Sequence, residues 1–157
     1  MSTYVEPILL EFEPLEEPWC KYQLSDGSVL YVKVVLVRAG RLPIYDNIGQ
    51  PLYQFLHSVL LSVKPEPNMR KPPTIPPPTE REIVETSEEV QIARTIDERS
   101  SRYRLEDGTT AEFRPVITSV KRSSKFDSFW VPIYYVTWQI VSKLDIPKAL
   151  WKKETKP

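Results

Sequence analysis

Residues Tyr53, Phe55, His57, Val59, Leu61 and Val63 form one apolar face at a period of two, and Tyr134, Val136, Trp138 and Ile140 form an equivalent one. That period is the repeat of side chains along an extended chain, so each segment predicts a half-buried strand. Ahead of each lies a run dense in β-branched residues, 29–37 and 111–120, which predicts a second strand. Ser25-Asp26-Gly27 and Glu106-Asp107-Gly108 precede those runs, and Asp-Gly supplies the positive φ angles of a tight hairpin. A third strand is expected before each turn, over 19–24 and 100–105. A fourth is expected upstream, around Ile8 to Phe12 and Val90 to Ile92. Pro115 falls inside the second strand of the later set, where it cannot donate to a ladder, and predicts an edge strand or a bulge.

The two sets of elements are copies of one another. Without a gap, a shift of 81 positions aligns residues 22–64 with 103–145 and gives nine identities in 43 pairs. These are Tyr22/Tyr103, Leu24/Leu105, Asp26/Asp107, Gly27/Gly108, Val35/Val116, Arg41/Arg122, Asp46/Asp127, Pro51/Pro132 and Tyr53/Tyr134. Conservative pairs such as Lys33/Arg114 and Val59/Ile140 add to them. Self-similarity at a fixed period marks a tandem duplication. The expected fold is all-β, two similar units that are each an antiparallel three- or four-stranded meander curled into a barrel or half-barrel. The first unit spans 1–65 and the second 86–146. Between them, 66–85 is a Pro-rich linker containing Pro76-Pro77-Pro78, a composition that favours extended polyproline II, and its charged end from Glu80 is able to start a short helix. Residues 147–157 form a basic tail that is expected to be exposed, with Trp151 docking back on a unit.

Composition narrows the class. Units of about 60 residues are marginal by themselves, so mutual packing or oligomerisation is expected. No apolar run approaches the roughly 18 residues of a membrane helix, and the polar start at Met1 lacks the features of a secretion signal, which predicts a cytoplasmic protein. The single cysteine, Cys20, excludes an internal disulfide and a multi-cysteine zinc site. Few thermolabile residues, 27% charged residues and 16 prolines give a thermophile-like composition. The net charge is zero, distributed as −2 in the first unit, −1 in the linker, 0 in the second unit and +3 in the tail. No unit carries the basic footprint usual for nucleic-acid binding.

Candidate chemistry is sparse. Lys121, Arg122 and Lys125 precede Phe129 and Trp130 in the last hairpin loop, and basic residues beside aromatics are able to hold phosphate while stacking bases. The plainer reading is a solvated loop, since the first copy has Ile48 and Gly49 opposite the aromatics. His57 is the only histidine and its counterpart is Trp138, which points to a core or rim position. Cys20 pairs with Ser101 and reads as a buried thiol. Asp26 and Asp107 are explained by their turns, and Asp46 and Asp127 by loops in which Asp caps its own backbone. An acid pair or oxygen-ligand metal site at Asp26 and Asp46 is the third choice. Only four glycines are present and none builds a phosphate loop. Tyr22, Tyr53, Tyr103 and Tyr134 either line a ligand groove or complete small β cores with hydroxyls at the rim, and duplication favours the core.

The expected function is therefore a non-catalytic macromolecular binding or assembly module without cofactor or metal. Its edge strands serve as contacts for a protein partner or for self-association. Nucleic-acid or ribonucleoprotein binding through the basic-aromatic loop is the alternative.

Overall fold

The computed structural model describes residues 4–153; the extreme N-terminus and residues 154–157, the end of the tail, lie outside the described residues. Among the described residues, ten strands form two five-stranded antiparallel sheets. The first repeat supplies β1 (Ile8–Leu10), β2 (Phe12–Glu16), β3 (Cys20–Leu24), β4 (Val29–Tyr45) and β5 (Pro51–Lys64). A short helix, α1 (Glu80–Glu85), capped by the Thr79 side chain, closes the linker. The second repeat supplies β6 (Ser87–Val90), β7 (Ile92–Asp97), β8 (Ser101–Leu105), β9 (Thr110–Phe126) and β10 (Pro132–Asp145). The bounds of β3, β4 and β5 recur 81 positions later in β8, β9 and β10, and a 3₁₀ turn at Pro67–Met69 recurs at Lys148–Leu150.

The expected fourth strand is two strands in each copy. Its weak sequence match has a structural cause. Leu10 pairs with Ala39 and Val90 with Val120, a spacing of 80 rather than 81. In β7 the register passes from Ile92 opposite Leu24 to Arg94 opposite Gln23 and skips Ala93. One extra residue in the second copy is thus absorbed as a bulge, which restores the 81-residue phase by Arg94.

The repeats exchange strands. β2 pairs with β8 of the second repeat, and β7 pairs with β3 of the first. The interior is shared in the same way. One cluster joins Leu10, Val34, Leu36 and Ala39 to Tyr103, Leu105, Ala111 and Phe113. The other joins Cys20, Tyr22, Leu24, Leu30 and Val32 to Val90, Val120 and Val136. Each fully buried large side chain is worth about 1.5–3 kcal/mol, and here each is buried by both copies together, which answers the marginal size of one repeat.

β4 is bonded along one edge by β5, and along the other by β3 at 29–32 and by β1 at 39–41. The gap between β3 and β1 is filled by the other repeat. Ser101 Oγ donates to the Val34 carbonyl at 2.6 Å, and the Leu36 N–H donates to the Tyr103 hydroxyl at 3.0 Å. Pro115 occupies the corresponding gap in β9, between its pairings with β8 at 110–113 and β6 at 120–123. β9 is accordingly an interior strand, not the edge that was one of the two readings of the proline. The missing donor is tolerated because on this side of β9 no strand pairs with residues 114–119, while β10 pairs Ile140 with Pro115 on the other side. The bulge that was the second reading falls nearby, where the β9–β10 register skips Thr118. Among the long strands, the open edges are those of β5 and β10, which pair only with β4 and β9.

Candidate functional site

Three of the repeated identities meet across the boundary between the copies. Asp26 uses one carboxylate oxygen to accept the Ser28 N–H at 2.9 Å, closing the turn at Gly27, whose φ is 89°. Its other oxygen accepts from Arg122 at 3.0 Å and from the Tyr134 hydroxyl at 2.6 Å. Asp107 repeats the arrangement with the Thr109 N–H at 2.9 Å, Arg41 at 2.9 Å and the Tyr53 hydroxyl at 2.7 Å. Burial pushes both carboxyls up, but hydrogen bonds from tyrosine, backbone and arginine outweigh it and hold them below the usual carboxylate range. Burial and the adjacent carboxylates raise Tyr53 and Tyr134 to about 12.

The turn is therefore only half of the role of Asp26 and Asp107. The second half joins residues 96 and 66 positions apart, and no local pattern carries it. Tyr22 and Tyr103 are core residues at 2% and 1% exposure. The Tyr22 hydroxyl reaches the rim, where it donates to the exposed Glu98 at 2.9 Å, whereas the Tyr103 hydroxyl turns inward and accepts the buried Leu36 N–H. Asp46 and Asp127 cap their own loops, each accepting two backbone N–H groups. Among the described residues no group of three or more His, Cys, Asp or Glu is placed to hold a metal ion.

His57 lies against Phe113, ring centroids 4.3 Å apart, and its Nε2 is buried without a hydrogen-bond partner. Burial lowers its basicity. Cys20 is buried and donates to the Arg99 carbonyl at 3.2 Å, and burial raises its thiol.

The structure divides the basic-aromatic group. Arg122 is turned inward to Asp26, with only 31% of its side chain exposed. Lys121 and Lys125 remain partly exposed, whereas Phe129 is 76% and Trp130 46% exposed at the tip of the β9–β10 hairpin. Trp130 has φ 65° at the position where the first copy has Gly49, φ 92°. A bulky side chain in this left-handed conformation is strained. The linker reaches the same hairpin: Arg70 donates to the Phe129 carbonyl at 2.9 Å, and Lys71 stands 6.0 Å from the Phe126 ring centroid.

Of the described tail, Lys148, Ala149, Lys152 and Lys153 are exposed and Trp151 is half-buried. Trp151 donates its indole N–H to the Ile146 carbonyl at 3.1 Å, and the Lys152 N–H donates to the Gly49 carbonyl at 2.7 Å.

One surface of the first repeat differs from its counterpart. Over its sheet, Trp19 meets Tyr31 edge-on at 6.4 Å with Lys33 above the indole, and Leu56 and Leu60 are exposed nearby on β5. In the second repeat Ser100, Glu112, Arg114, Thr137 and Val141 stand at those positions, and the ion pairs Arg102–Glu112 and Arg114–Glu98 cover the face.

Among known protein-family models, curated proteins and solved structures, the chain has no match. No described helix is long and apolar enough to cross a membrane.

Proposed function

We propose that the chain is a non-catalytic binding or assembly module that takes up a protein strand along β5, a second copy of the chain being the first partner to test. The observation that carries this reading is the open edge of β5: 14 residues paired with β4 alone, with a single charge, at Lys64. Natural sheets usually protect such an edge with charge, proline or a short strand, because its backbone donors and acceptors recruit another strand. β10 is equally long but carries Lys143 and Asp145 at its end. The apolar face beside β5, found only in the first repeat, supplies side-chain contacts for the added strand.

Sedimentation velocity over a wide concentration range at moderate salt is the test. Association that disappears in Leu56→Lys/Leu60→Lys, with unchanged thermal unfolding, is expected. A monomer at every concentration would overturn self-association at this edge.

A second reading rests on the exposed Phe129 and the strained Trp130. With Lys121, Lys125, Arg70 and Lys71 nearby, this hairpin fits single-stranded nucleic acid, through stacking and phosphate contact. Its test is affinity for single-stranded and duplex nucleic acid as a function of salt. A steep fall in affinity with salt favours this reading.

A further inference from the structure

Along β5 the order of apolar and polar residues reads nearly the same in both directions from Ser58. Leu56 mirrors Leu60, Phe55 mirrors Leu61, Gln54 mirrors Ser62 and Tyr53 mirrors Val63. His57, whose ring stacks on Phe113, mirrors Val59. Lys64, the only charge, mirrors Leu52, so the symmetry brings no like charges together. The equivalent stretch of β10, centred on Gln139, lacks this property: Thr137 mirrors Val141, Val136 mirrors Ser142 and Tyr135 mirrors Lys143.

The stretch is also regular and uncovered. From Tyr53 to Lys64 the pairing with β4 skips no residue of β5, so the edge is free of the bulges that blunt other edges. Leu61 pairs with the fully buried Val32 on the inward face, yet it is 38% exposed, and Ser142 stands at its position in the second repeat. On the outward face Leu56 and Leu60 are 52% and 44% exposed. The chain ends outside the described residues, three positions at one end and four at the other, are too short to fill an edge of 14 residues.

We infer that, on the reading of β5 as a strand-accepting edge, its occupant is β5 of a second copy, paired antiparallel about a twofold axis at Ser58. Closed twofold contacts require a self-complementary surface, and a palindromic strand is one. Each mirrored pair then becomes a cross-strand pair on one face of a continuous sheet. On the outward face Leu56 meets the second copy's Leu60 on both sides of the axis. On the inward face the exposed Leu61 is covered by the second copy's Phe55. The two first-repeat sheets join into one ten-stranded sheet, and the contact closes on itself, which leaves no β5 edge for a third copy. Pairing of β5 with β10 of another copy would oppose unlike residues and would propagate without limit.

The test uses the full chain carrying Cys20→Ser, the residue type present at Ser101, so that one introduced thiol reports the register. Ser58→Cys and Gln54→Cys are oxidised with glutathione disulfide and followed by non-reducing electrophoresis, beside sedimentation velocity of the unoxidised protein. Ser58→Cys should form a covalent dimer at least tenfold faster than Gln54→Cys, because the two Gln54 positions of the pair lie about 27 Å apart along the strands. An equimolar mixture of Gln54→Cys and Ser62→Cys should cross-link as readily as Ser58→Cys. Sedimentation should show monomer and dimer only, with the dimer lost in Leu56→Lys/Leu60→Lys. If Cys20→Ser unfolds, the same variants in the native chain serve, since Cys20 is 2% exposed. A dimer that is lost in Leu56→Lys/Leu60→Lys but oxidises no faster through Ser58→Cys than through Gln54→Cys would overturn this register and leave the β5 edge as the contact. Species growing beyond the dimer would overturn the twofold closure. A monomer at every concentration would overturn the pairing and, with it, self-association at this edge.

Discussion

Tyr53 of the first repeat and Asp107 of the second share a hydrogen bond of 2.7 Å, and the duplication repeats it as Tyr134 with Asp26 at 2.6 Å. Each carboxylate also binds an arginine from the repeat that supplies its tyrosine, Arg41 or Arg122. Three of the nine identities between the copies are therefore the two ends of contacts that hold the copies together. A hydrogen bond to a charged group contributes about 1.5–3 kcal/mol. Tyr53→Phe and Tyr134→Phe should each destabilise by that order in urea unfolding, nearly additively because the two locks are separate. A loss below about 0.5 kcal/mol in both variants would show that the locks add little to stability.

The same carboxylates set a pH dependence. Their folded pKa values lie below the unfolded value of about 3.9, so their contribution is fully present above it and is lost as pH falls through the folded values. Thermal stability should drop from about pH 4 downward. The drop should be smaller in Asp26→Asn/Asp107→Asn when each curve is scaled to its own neutral value.

On the alkaline side the sign is reversed. Tyr53 and Tyr134 are raised from the usual 10 to about 12. The stability they confer as donors is complete below pH 10 and fades as pH rises through about 12. Ultraviolet titration of tyrosinate should show a high-pH fraction that shrinks in the Tyr53→Phe/Tyr134→Phe variant.

Arg122 and its neighbours should separate in a mutational test. Arg122→Ala leaves Asp26 with one charge partner fewer at a carboxylate only 8% exposed, and is expected to cost about 2 kcal/mol. Lys121→Ala/Lys125→Ala should change stability by less than about 1 kcal/mol, as exposed charges do. Equal effects in chemical denaturation would contradict the placement of Arg122.

Trp130 should be replaceable by glycine with a gain. At φ 65° a bulky residue carries strain of about 1–2 kcal/mol that glycine lacks, as Gly49 shows in the other copy. An increase in melting temperature for Trp130→Gly, with any binding at this hairpin weakened, would mark strain kept for contact. A lower melting temperature would show that the indole packs the fold.

Taken alone, the amino-acid sequence determined the local order of this protein. Alternation at 53–63, Asp-Gly at 26–27 and the 81-residue shift depend on neighbours along the chain, and these dictated strands, turns and duplication. What the sequence left open was the partner of each strand. β2 and β7 present the same alternation whether they pair at home or across, and only the assembled interior, in which Tyr103 fills the gap in β4 and Asp107 finds Arg41, selects the exchange. The edge was misplaced for the same reason, since Pro115 reports a missing donor but not which strand would have needed it. Burial and hydrogen bonding over 66–108 positions are properties of the closed structure, and tertiary packing alone decided them.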